Sequence, residues 1–471
     1  MRSWRRDPAE SEPVGHPYRT TVYPPLELES AARGIAKLVA SFPHGRFRLQ
    51  VPCASDELGQ EIAHDRIQKR TSILTRLGRG SVYLAGLALR QRCDCGREPH
   101  TVAVPSYHCG SEVAALSGAG LRTAFYRVRG DLSIDPDSFA EVASSACAVY
   151  VISFFGWHPH IDGIWPNGEV GPEMLARAKS TVGDKVWIED AAHAFHSDYP
   201  GGVPVGYLGD IGIFSLRKSL GSPDGGGLCA SSDWHGLLED AWRSTVDAFR
   251  VGREQSRSRR FSRFPIFGSK SRWGPLLAQV WMRAAAGAGA TAAIAASVLE
   301  RVSKTERAAA SGDLTSAIYG LDSDTSWRIS EEALQRAALE PHYLSIAVFA
   351  GHRRAAAAAS RRQNYVELVE GMGLGEFVPE AYRALPSGVA PLFVPLEVSD
   401  RAQAVRSFYA RGIRVIEVWP TAHPDTPEAF ARELKRAREC LIGLPCHHLL
   451  SWSALEHVGL TARSILATSR R

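Results

Sequence analysis

Two short apolar runs, each followed by a charged side chain, most constrain how this chain can fold. Residues 186–188 lead into an acidic pair that ends at Asp190, and residues 211–214 are followed four positions later by Lys218. Such runs predict buried strands of an α/β sheet, and ligand sites in these sheets lie at the carboxyl ends of the strands. The sequence therefore predicts a carboxylate and an amine at the same sheet edge.

A carboxylate and a lysine placed in this way are what a pyridoxal 5'-phosphate enzyme requires. In this interpretation Lys218 forms the Schiff base with the cofactor aldehyde and carries protons to and from the substrate carbon. Asp190 keeps the ring nitrogen protonated, so that the ring accepts electrons. Lys218 is one of only eight lysines in a chain with 55 basic residues. The scarcity of lysine favours a functional role for Lys218.

A glycine-rich turn is the candidate phosphate site. Arg79, Gly80 and Ser81 come just before a helical pattern that spans Val82–Arg90. Free backbone N–H groups and the helix dipole attract anions to such a helix start. Ser215, at the end of the second apolar run, is a further predicted phosphate ligand. The alternative for the turn is a simple N-cap at Ser81.

Three further side chains are candidates for the cofactor ring. His193 follows the acidic pair closely enough to reach the phenolic oxygen of the ring. Tyr107 or His108, which follow an apolar run, would stack on the exposed ring face. Each of the three has an alternative role as a residue of the hydrophobic core, and the sequence does not decide between the two roles.

The composition is that of a globular protein with two domains. The chain has 471 residues, which is too long for one small core. Charged residues make up 22% and apolar residues 45%, as in soluble proteins. The net charge of +5 is mild for this length and does not indicate nucleic acid as a partner.

A cytoplasmic protein without a membrane anchor is expected. The eight cysteines are scattered, and no apolar leader follows the basic N terminus. This pattern predicts reduced thiols rather than a disulfide framework. The longest stretch of low charge, Ala284–Leu299, is short for a membrane span and is rich in alanine and glycine. It predicts a packed helix.

No metal site is predicted. Cys93 and Cys95 form a pair, but no second pair follows at the spacing of a zinc site. His158 and His160 are separated by a proline and have no nearby cysteine, so a surface loop is the expected structure there.

Strand and helix patterns alternate along the first half of the chain and predict a mostly parallel sheet with right-handed crossovers. An arm with one helix comes first, and the C-terminal part predicts an α+β unit. The predicted helices are Glu27–Ala40, Gln60–Leu77, Val82–Arg90, Ser111–Ser117, Pro172–Ser180, Leu276–Lys304, Ala402–Ala410 and Pro427–Cys440, with a mainly helical stretch at Glu332–Met372. The predicted strands are Thr101–Val104, Arg122–Tyr126, Ala148–Phe155, Ala390–Val398, Gly412–Val418 and Leu441–Pro445.

A basic segment interrupts this order. Residues 250–272 contain seven arginines and one lysine among serine, phenylalanine and proline. The plain interpretation is a solvated loop. The alternative is a basic flap near the site that attracts an anionic substrate such as a nucleotide diphosphate.

Several motifs together resemble the DegT/DnrJ/EryC1/StrS aminotransferases. The strongest are Glu-Asp-Ala-Ala-His-Ala at 189–194, Gly-Asp-Ile-Gly-Ile-Phe-Ser at 209–215 with a lysine just after, and Asp-Gly-Gly-Gly at 224–227. Similar segments are Pro105–Cys109, Arg353-Arg354 with Asn364-Tyr365, and Leu441–His448. The combination is more specific than any single motif.

The resemblance implies a fold-type-I pyridoxal phosphate enzyme. Its large domain would hold a mostly parallel, seven-stranded type of sheet flanked by helices, and a smaller α+β domain would follow. The expected division is an N-terminal arm at 1–57, a cofactor-binding domain at 58–232, a basic loop and helical insert at 233–340, and a small domain at 341–471. The resemblance also implies a homodimer.

The function that the resemblance implies is amino transfer. A donor such as glutamate or glutamine would supply the amino group to a keto group, on a nucleotide-linked sugar or a precursor in secondary metabolism. The family's dehydratases replace the lysine with histidine, and Lys218 is retained here. The alternatives are another pyridoxal phosphate reaction, such as elimination or carbon–carbon bond chemistry, or a non-catalytic partner subunit.

Three departures from the family pattern bear on the reaction. Lys218 lies three positions after Ser215, whereas five is usual in the family. Arg79 stands where a small hydroxyl residue is usual, and Ser153 where a histidine is frequent. A divergent branch that keeps the cofactor and has a changed substrate accounts for all three.

Overall fold

The structure is a computed structural model. It describes residues 70–159, 183, 185–261 and 329–468, except for residues 94, 95, 97, 98 and 223 within these ranges. Residues 20, 21, 27 and 29–33 are also described, and 29–33 are helical, within the predicted helix Glu27–Ala40. The predicted helices Pro172–Ser180 and Leu276–Lys304 lie outside the described residues.

Twelve strands are described, and seven of them form the sheet of the larger unit. In chain order the strands are β1 (Thr20–Thr21), β2 (Arg70–Thr75), β3 (Thr101–Pro105), β4 (Arg122–Tyr126), β5 (Ala148–Ile152), β6 (Val186–Asp190), β7 (Ile211–Phe214), β8 (Gly226–Ser231), β9 (Phe393–Glu397), β10 (Ile413–Arg414), β11 (Ile416–Glu417) and β12 (Leu441–Pro445). The sheet order is β2-β8-β7-β6-β5-β3-β4. Strand β8 is antiparallel to both of its neighbours, β2 and β7, and the other neighbouring strands of the sheet are parallel. The predicted mostly parallel sheet is confirmed.

Helices pack around this sheet and continue into the C-terminal unit. They are α1 (Gly78–Arg92), α2 (Ser111–Gly118), α3 (Pro136–Ser145), α4 (Leu216–Ser219), α5 (His235–Phe261), α6 (Glu331–Ala338), α7 (Tyr343–Gly351), α8 (Arg354–Val366), α9 (Glu380–Arg383), α10 (Arg401–Tyr409), α11 (Glu428–Glu433), α12 (Lys435–Cys440) and α13 (Trp452–Thr468). Helix α1 packs against α2, α5 and α6. Among the described helices, none has the length and apolar character to cross a membrane.

The C-terminal unit combines helices with a second sheet, in agreement with the predicted α+β character. Strands β11, β12 and β9 pair in that order and are antiparallel. Strand β10 pairs in parallel with β1 from the N-terminal region. The predicted helix Pro427–Cys440 is divided into α11 and α12, because Leu434 lies between them with a non-helical backbone.

Three predictions of secondary structure are wrong or incomplete. The C-terminal part of the predicted helix Gln60–Leu77 is strand β2, which pairs along its whole length with β8. The run Ala148–Phe155 stops being a strand at Ile152, and a short 3-10 turn with Phe155 at φ 60° follows. The beginning of the basic segment 250–272 is the end of helix α5 rather than a loop. The rest of that segment lies outside the described residues.

Strand β8 was not predicted, because it begins with glycines that normally weaken a strand. A Cβ at Gly226 would lie only 2.5 Å from the backbone nitrogen of Gly78 and would also overlap the backbone of Leu77. Glycine therefore lets β8 approach the start of helix α1 closely. This approach brings the helix start next to the carboxyl edge of the sheet.

The first test concerns this close approach. The Gly226→Ala variant should lower the free energy of unfolding by about 1–3 kcal/mol, because the added methyl group must displace backbone atoms. Urea unfolding followed by circular dichroism measures the change. Gly236→Ala is the matched control, since a Cβ at this helical position meets no atom within 4 Å. The control should be neutral or up to about 1 kcal/mol more stable. Equal stability of the two variants would contradict the close approach.

Candidate active site

The carboxylate and the lysine lie at the carboxyl edge of the large sheet, as predicted. Strand β6 ends at Asp190, which pairs in register with Ile213 of the parallel neighbour β7. The single-turn helix α4 follows β7 and carries Lys218. The Nζ atom of Lys218 lies 3.0 Å from Nε2 of His193. The fold therefore brings Asp190, His193 and Lys218 to one place.

Asp190 is a buried carboxylate with two fixed donors. The hydroxyl of Tyr150 donates to Oδ2 at 2.7 Å, and the backbone N–H of Ala192 donates to Oδ1 at 2.8 Å. Burial raises the pKa of Asp190, and these two hydrogen bonds and the charge of Lys218 act in the opposite direction. The carboxylate is thus oriented in a site of low polarity where a cationic partner stabilises it.

His193 is a neutral imidazole held between aromatic rings. Its ring stacks on Trp419 with centroids 5.4 Å apart and on Phe155 at 6.2 Å. Burial lowers the pKa of His193 well below its ordinary value, and the charge of Lys218 adds to this effect. Because Nε2 faces the lysine amine, Nδ1 is the nitrogen that carries the proton. Nδ1 is buried and has no hydrogen-bond partner among the described residues.

The glycine-rich segment forms the first turn of helix α1. The helix begins at Gly78, and its N-cap is Leu77, with no capping side chain among the described residues. The alternative of an N-cap at Ser81 is therefore wrong. A Cβ built on Gly78 would lie 3.4 Å from Cβ of Ser215. The uncapped helix start and Ser215 consequently meet at the edge of the sheet.

The three predicted phosphate ligands of this turn have different surroundings. Ser81 is buried and its hydroxyl lies 2.7 Å from the hydroxyl of Thr75. Gly80 faces the backbone of Ala337 in helix α6. Arg79 is partly buried. The N–H of Gly80 already donates to the carbonyl of Leu77 at 2.8 Å. The backbone N–H groups that precede it in the turn are therefore better placed as anion donors than the Ser81 side chain.

Tyr107 and His108 are both buried. The Tyr107 hydroxyl donates to the carbonyl of Val418 at 3.4 Å, and its ring lies 5.0 Å from that of Trp419. His108 stacks on Phe125 at 5.5 Å. Among the described residues, no hydrogen bond or ring contact joins either side chain to Lys218 or Asp190. Both side chains pack in the core, and their stacking on a cofactor stays a prediction.

A second buried carboxyl group was not found from the sequence. Glu112, in the first turn of helix α2, accepts from the backbone N–H of Cys109 at 3.0 Å and from its thiol at 2.7 Å. Burial raises the pKa of Glu112, and the nearby charge of Asp190 raises it further. Burial and Glu112 together raise the pKa of Cys109 to about 12. The acidic first turn after a strand end was the available signal.

The Arg353-Arg354 motif positions the loop that carries His193. Arg354 is buried and donates to the carbonyls of Phe195 and Ser197, both at 2.8 Å. It also contacts Oδ1 of Asp198 at 2.6 Å. Asn364 from the second half of the motif donates to the carbonyl of His447 at 3.0 Å. These residues are structural supports of the site.

Comparisons with known proteins support the fold. The sequence matches no family model, and the comparison with curated proteins gives no match. The structure is similar to the aminotransferase TlmJ from Streptoalloteichus hindustanus, with a TM-score of 0.54, 18% identity, and coverage of 96% of this chain and 99% of that one. It is also similar to a DegT DnrJ EryC1 StrS aminotransferase from Brucella abortus, with a TM-score of 0.53, 16% identity, and coverage of 93% and 95%.

A third similar structure is a GDP-4-keto-6-deoxymannose-3-dehydratase with bound GDP-perosamine. Its TM-score is 0.54, with 12% identity and coverage of 93% of this chain and 99% of that one. At these identities the likeness concerns the fold. The predicted fold, which is that of the DegT/DnrJ/EryC1/StrS aminotransferases, is thereby confirmed.

The second test uses the buried neutral imidazole of His108. Burial lowers the pKa of His108 well below its ordinary value, so an unfolded chain binds a proton near pH 6.5 that the folded chain does not. This difference removes stability as the pH falls below about 6.5. His108→Gln should therefore lose stability less steeply than the wild type between about pH 6.5 and 5, by up to about 1.4 kcal/mol per pH unit.

Urea unfolding at several pH values measures these slopes. The exposed residue His457 supplies the matched control variant, His457→Gln. Identical slopes for wild type and His108→Gln would contradict the neutral, buried state of His108.

Proposed function

We propose that this chain is a pyridoxal phosphate-dependent aminotransferase. The observation that carries the proposal is the arrangement of Asp190, His193 and Lys218 at the carboxyl ends of β6 and β7. The buried carboxylate suits a protonated ring nitrogen, and the buried Nδ1–H of His193 suits the phenolic oxygen. The uncapped start of helix α1 beside Ser215 suits the phosphate. The residues therefore fit the cofactor at each of its polar ends.

When bound, the cofactor supplies an electron sink for the carbon that gains or loses the amino group. Lys218 would hold the cofactor through its aldehyde, and the free amine at Nζ would carry a proton to and from the substrate carbon. His193 Nε2 lies 3.0 Å from Nζ and orients the amine. Tyr150 fixes one oxygen of Asp190, so the carboxylate keeps its orientation during the reaction.

The proposed acceptor is a keto group on a nucleotide-linked sugar or a related precursor in secondary metabolism. Support comes from the structural similarity to the dehydratase with bound GDP-perosamine. Retention of Lys218 favours amino transfer over dehydration, and glutamate or glutamine is the proposed donor. In this proposal the arginine-rich segment after residue 250 attracts the diphosphate.

The proposed assembly is a homodimer, because the resemblance implies a site completed by a second subunit. The proposed location is the cytoplasm. The proposed domains are 1–57, 58–232, 233–340 and 341–471. Within them, the described seven-stranded sheet belongs to the second segment and the three-stranded sheet to the last. Size-exclusion chromatography with light scattering tests the dimer.

The third test replaces the two central residues. Lys218→Ala should abolish covalent attachment of pyridoxal phosphate, measured by mass spectrometry after borohydride reduction. Asp190→Asn should retain attachment but lower turnover about 100-fold or more, since the ring nitrogen loses its charged partner. The matched control is Lys435→Ala, at an exposed lysine on helix α12. Attachment that persists in Lys218→Ala and disappears in Lys435→Ala would refute the assignment.

The fourth test distinguishes amino transfer from the alternatives. With L-glutamate and no acceptor, an aminotransferase should release about one equivalent of 2-oxo acid per chain and then stop. An elimination enzyme given its amino acid would instead release ammonia over many turnovers, and a non-catalytic subunit would release nothing. Chromatography of the 2-oxo acid and an ammonia assay separate these outcomes. Absence of 2-oxo acid with both glutamate and glutamine argues against the proposed donors.

A further inference from the structure

Three potential metal ligands converge at the edge of the large sheet opposite the cofactor site. Cys93 directly follows helix α1, His100 precedes strand β3, and Cys147 precedes strand β5. One ligand atom from each lies within 4.8 Å of the others. The Sγ atom of Cys147 is 3.9 Å from Nδ1 of His100. The sequence shows no second cysteine pair at the spacing of a zinc site after Cys93. The fold instead brings His100 and Cys147 to Cys93 from other segments of the chain.

The backbone holds each of these residues in place. Strands β3 and β5 are parallel neighbours, and the N–H of Cys147 donates to the carbonyl of Thr101 at 2.8 Å. The carbonyl of His100 accepts from the N–H of Arg122 at 2.9 Å. The N–H of Cys93 donates to the carbonyl of Leu89, the last bond of helix α1, at 2.9 Å. The cluster is therefore built on three regular elements rather than on one loop.

The spacing of the ligand atoms is close to that of a tetrahedral zinc site. Zinc bonds of about 2.3 Å to sulfur and about 2.0 Å to nitrogen place neighbouring ligand atoms about 3.5–3.8 Å apart. The observed 3.9 Å between Cys147 and His100 is within a few tenths of an ångström of this range. The Sγ atom of Cys93 lies within 4.8 Å of the other two ligand atoms.

We propose that Cys93, His100 and Cys147 bind a zinc ion. Two thiolates and one imidazole are ligands that favour zinc over magnesium or calcium. Binding releases the thiol protons, and the two thiolate charges balance the charge of the ion. Strand β3 has five residues, so the zinc site and the catalytic edge are about 16 Å apart. Three protein ligands leave the fourth coordination position to water, and the ion ties helix α1 to the amino-terminal edge of the sheet.

The fifth test measures metal in the full-length protein loaded with pyridoxal phosphate and expressed with added zinc. Inductively coupled plasma mass spectrometry should find about one zinc ion per chain after dialysis. Cobalt(II) exchanged into the site should give strong ligand-field bands in the red, where the cofactor does not absorb. Cys93→Ser, Cys147→Ser and His100→Asn should each lower zinc affinity at least tenfold, as measured by competition with a chromophoric chelator.

Two matched variants separate this proposal from others. Cys440→Ser removes a partly buried thiol in helix α12 and should keep the zinc. Lys218→Ala should also keep it, so that failure of the cofactor proposal and failure of the zinc proposal are distinguishable. A wild-type protein that neither contains zinc nor binds added zinc overturns the proposal, even if the variants do not fold. A disulfide between Cys93 and Cys147 in freshly purified protein also overturns it.

Discussion

Helix α4, which carries Lys218, depends on the buried hydrogen bonds of the Arg361 guanidinium. The side chain of Arg361 is fully buried in helix α8 and donates from one nitrogen to the carbonyls of Pro391 and Leu392, and from another to the carbonyl of Ser219 at 3.1 Å. Burial lowers the pKa of Arg361 to about 10, which leaves the guanidinium protonated at neutral pH. Because Ser219 follows Lys218 in helix α4, the C-terminal unit fixes the helical turn that presents the lysine.

Helix α8 also fixes the second half of the site. Arg354, two turns earlier, holds the carbonyls of Phe195 and Ser197, in the loop that follows His193. Arg354 also pairs with Asp198 at 2.6 Å, and removing one partner of such a buried ion pair costs about 3–5 kcal/mol, because the other charge stays buried and unpaired. One helix of the C-terminal unit thus sets the distance between the loops after β6 and β7. The geometry of the candidate site depends on how the two units pack, although its residues lie in the larger one.

The sequence was sufficient to predict the residues that lie at strand ends, and insufficient for those that arrive from other segments. Asp190 and Lys218 follow apolar runs, and parallel strands bring such ends together. Tyr150 lies inside strand β5, where it looks like an ordinary core residue, and Trp419 lies far along the chain from His193. Their roles arise from packing, which a local pattern does not encode. Strand β8 was missed because its glycines serve the approach of the backbone and not strand propensity.

The short interval between Ser215 and Lys218 has a structural explanation. Ser215 is the N-cap of helix α4, and the lysine is the third residue of that single turn. A helical turn rises only about 1.5 Å per residue, so Lys218 stays close to the end of β7 and its Nζ reaches His193. The charge of Lys218 still acts on Asp190. The departure from the family spacing therefore changes the path of the backbone to the lysine, and it preserves the pairing of amine and carboxylate on which the proposed chemistry rests.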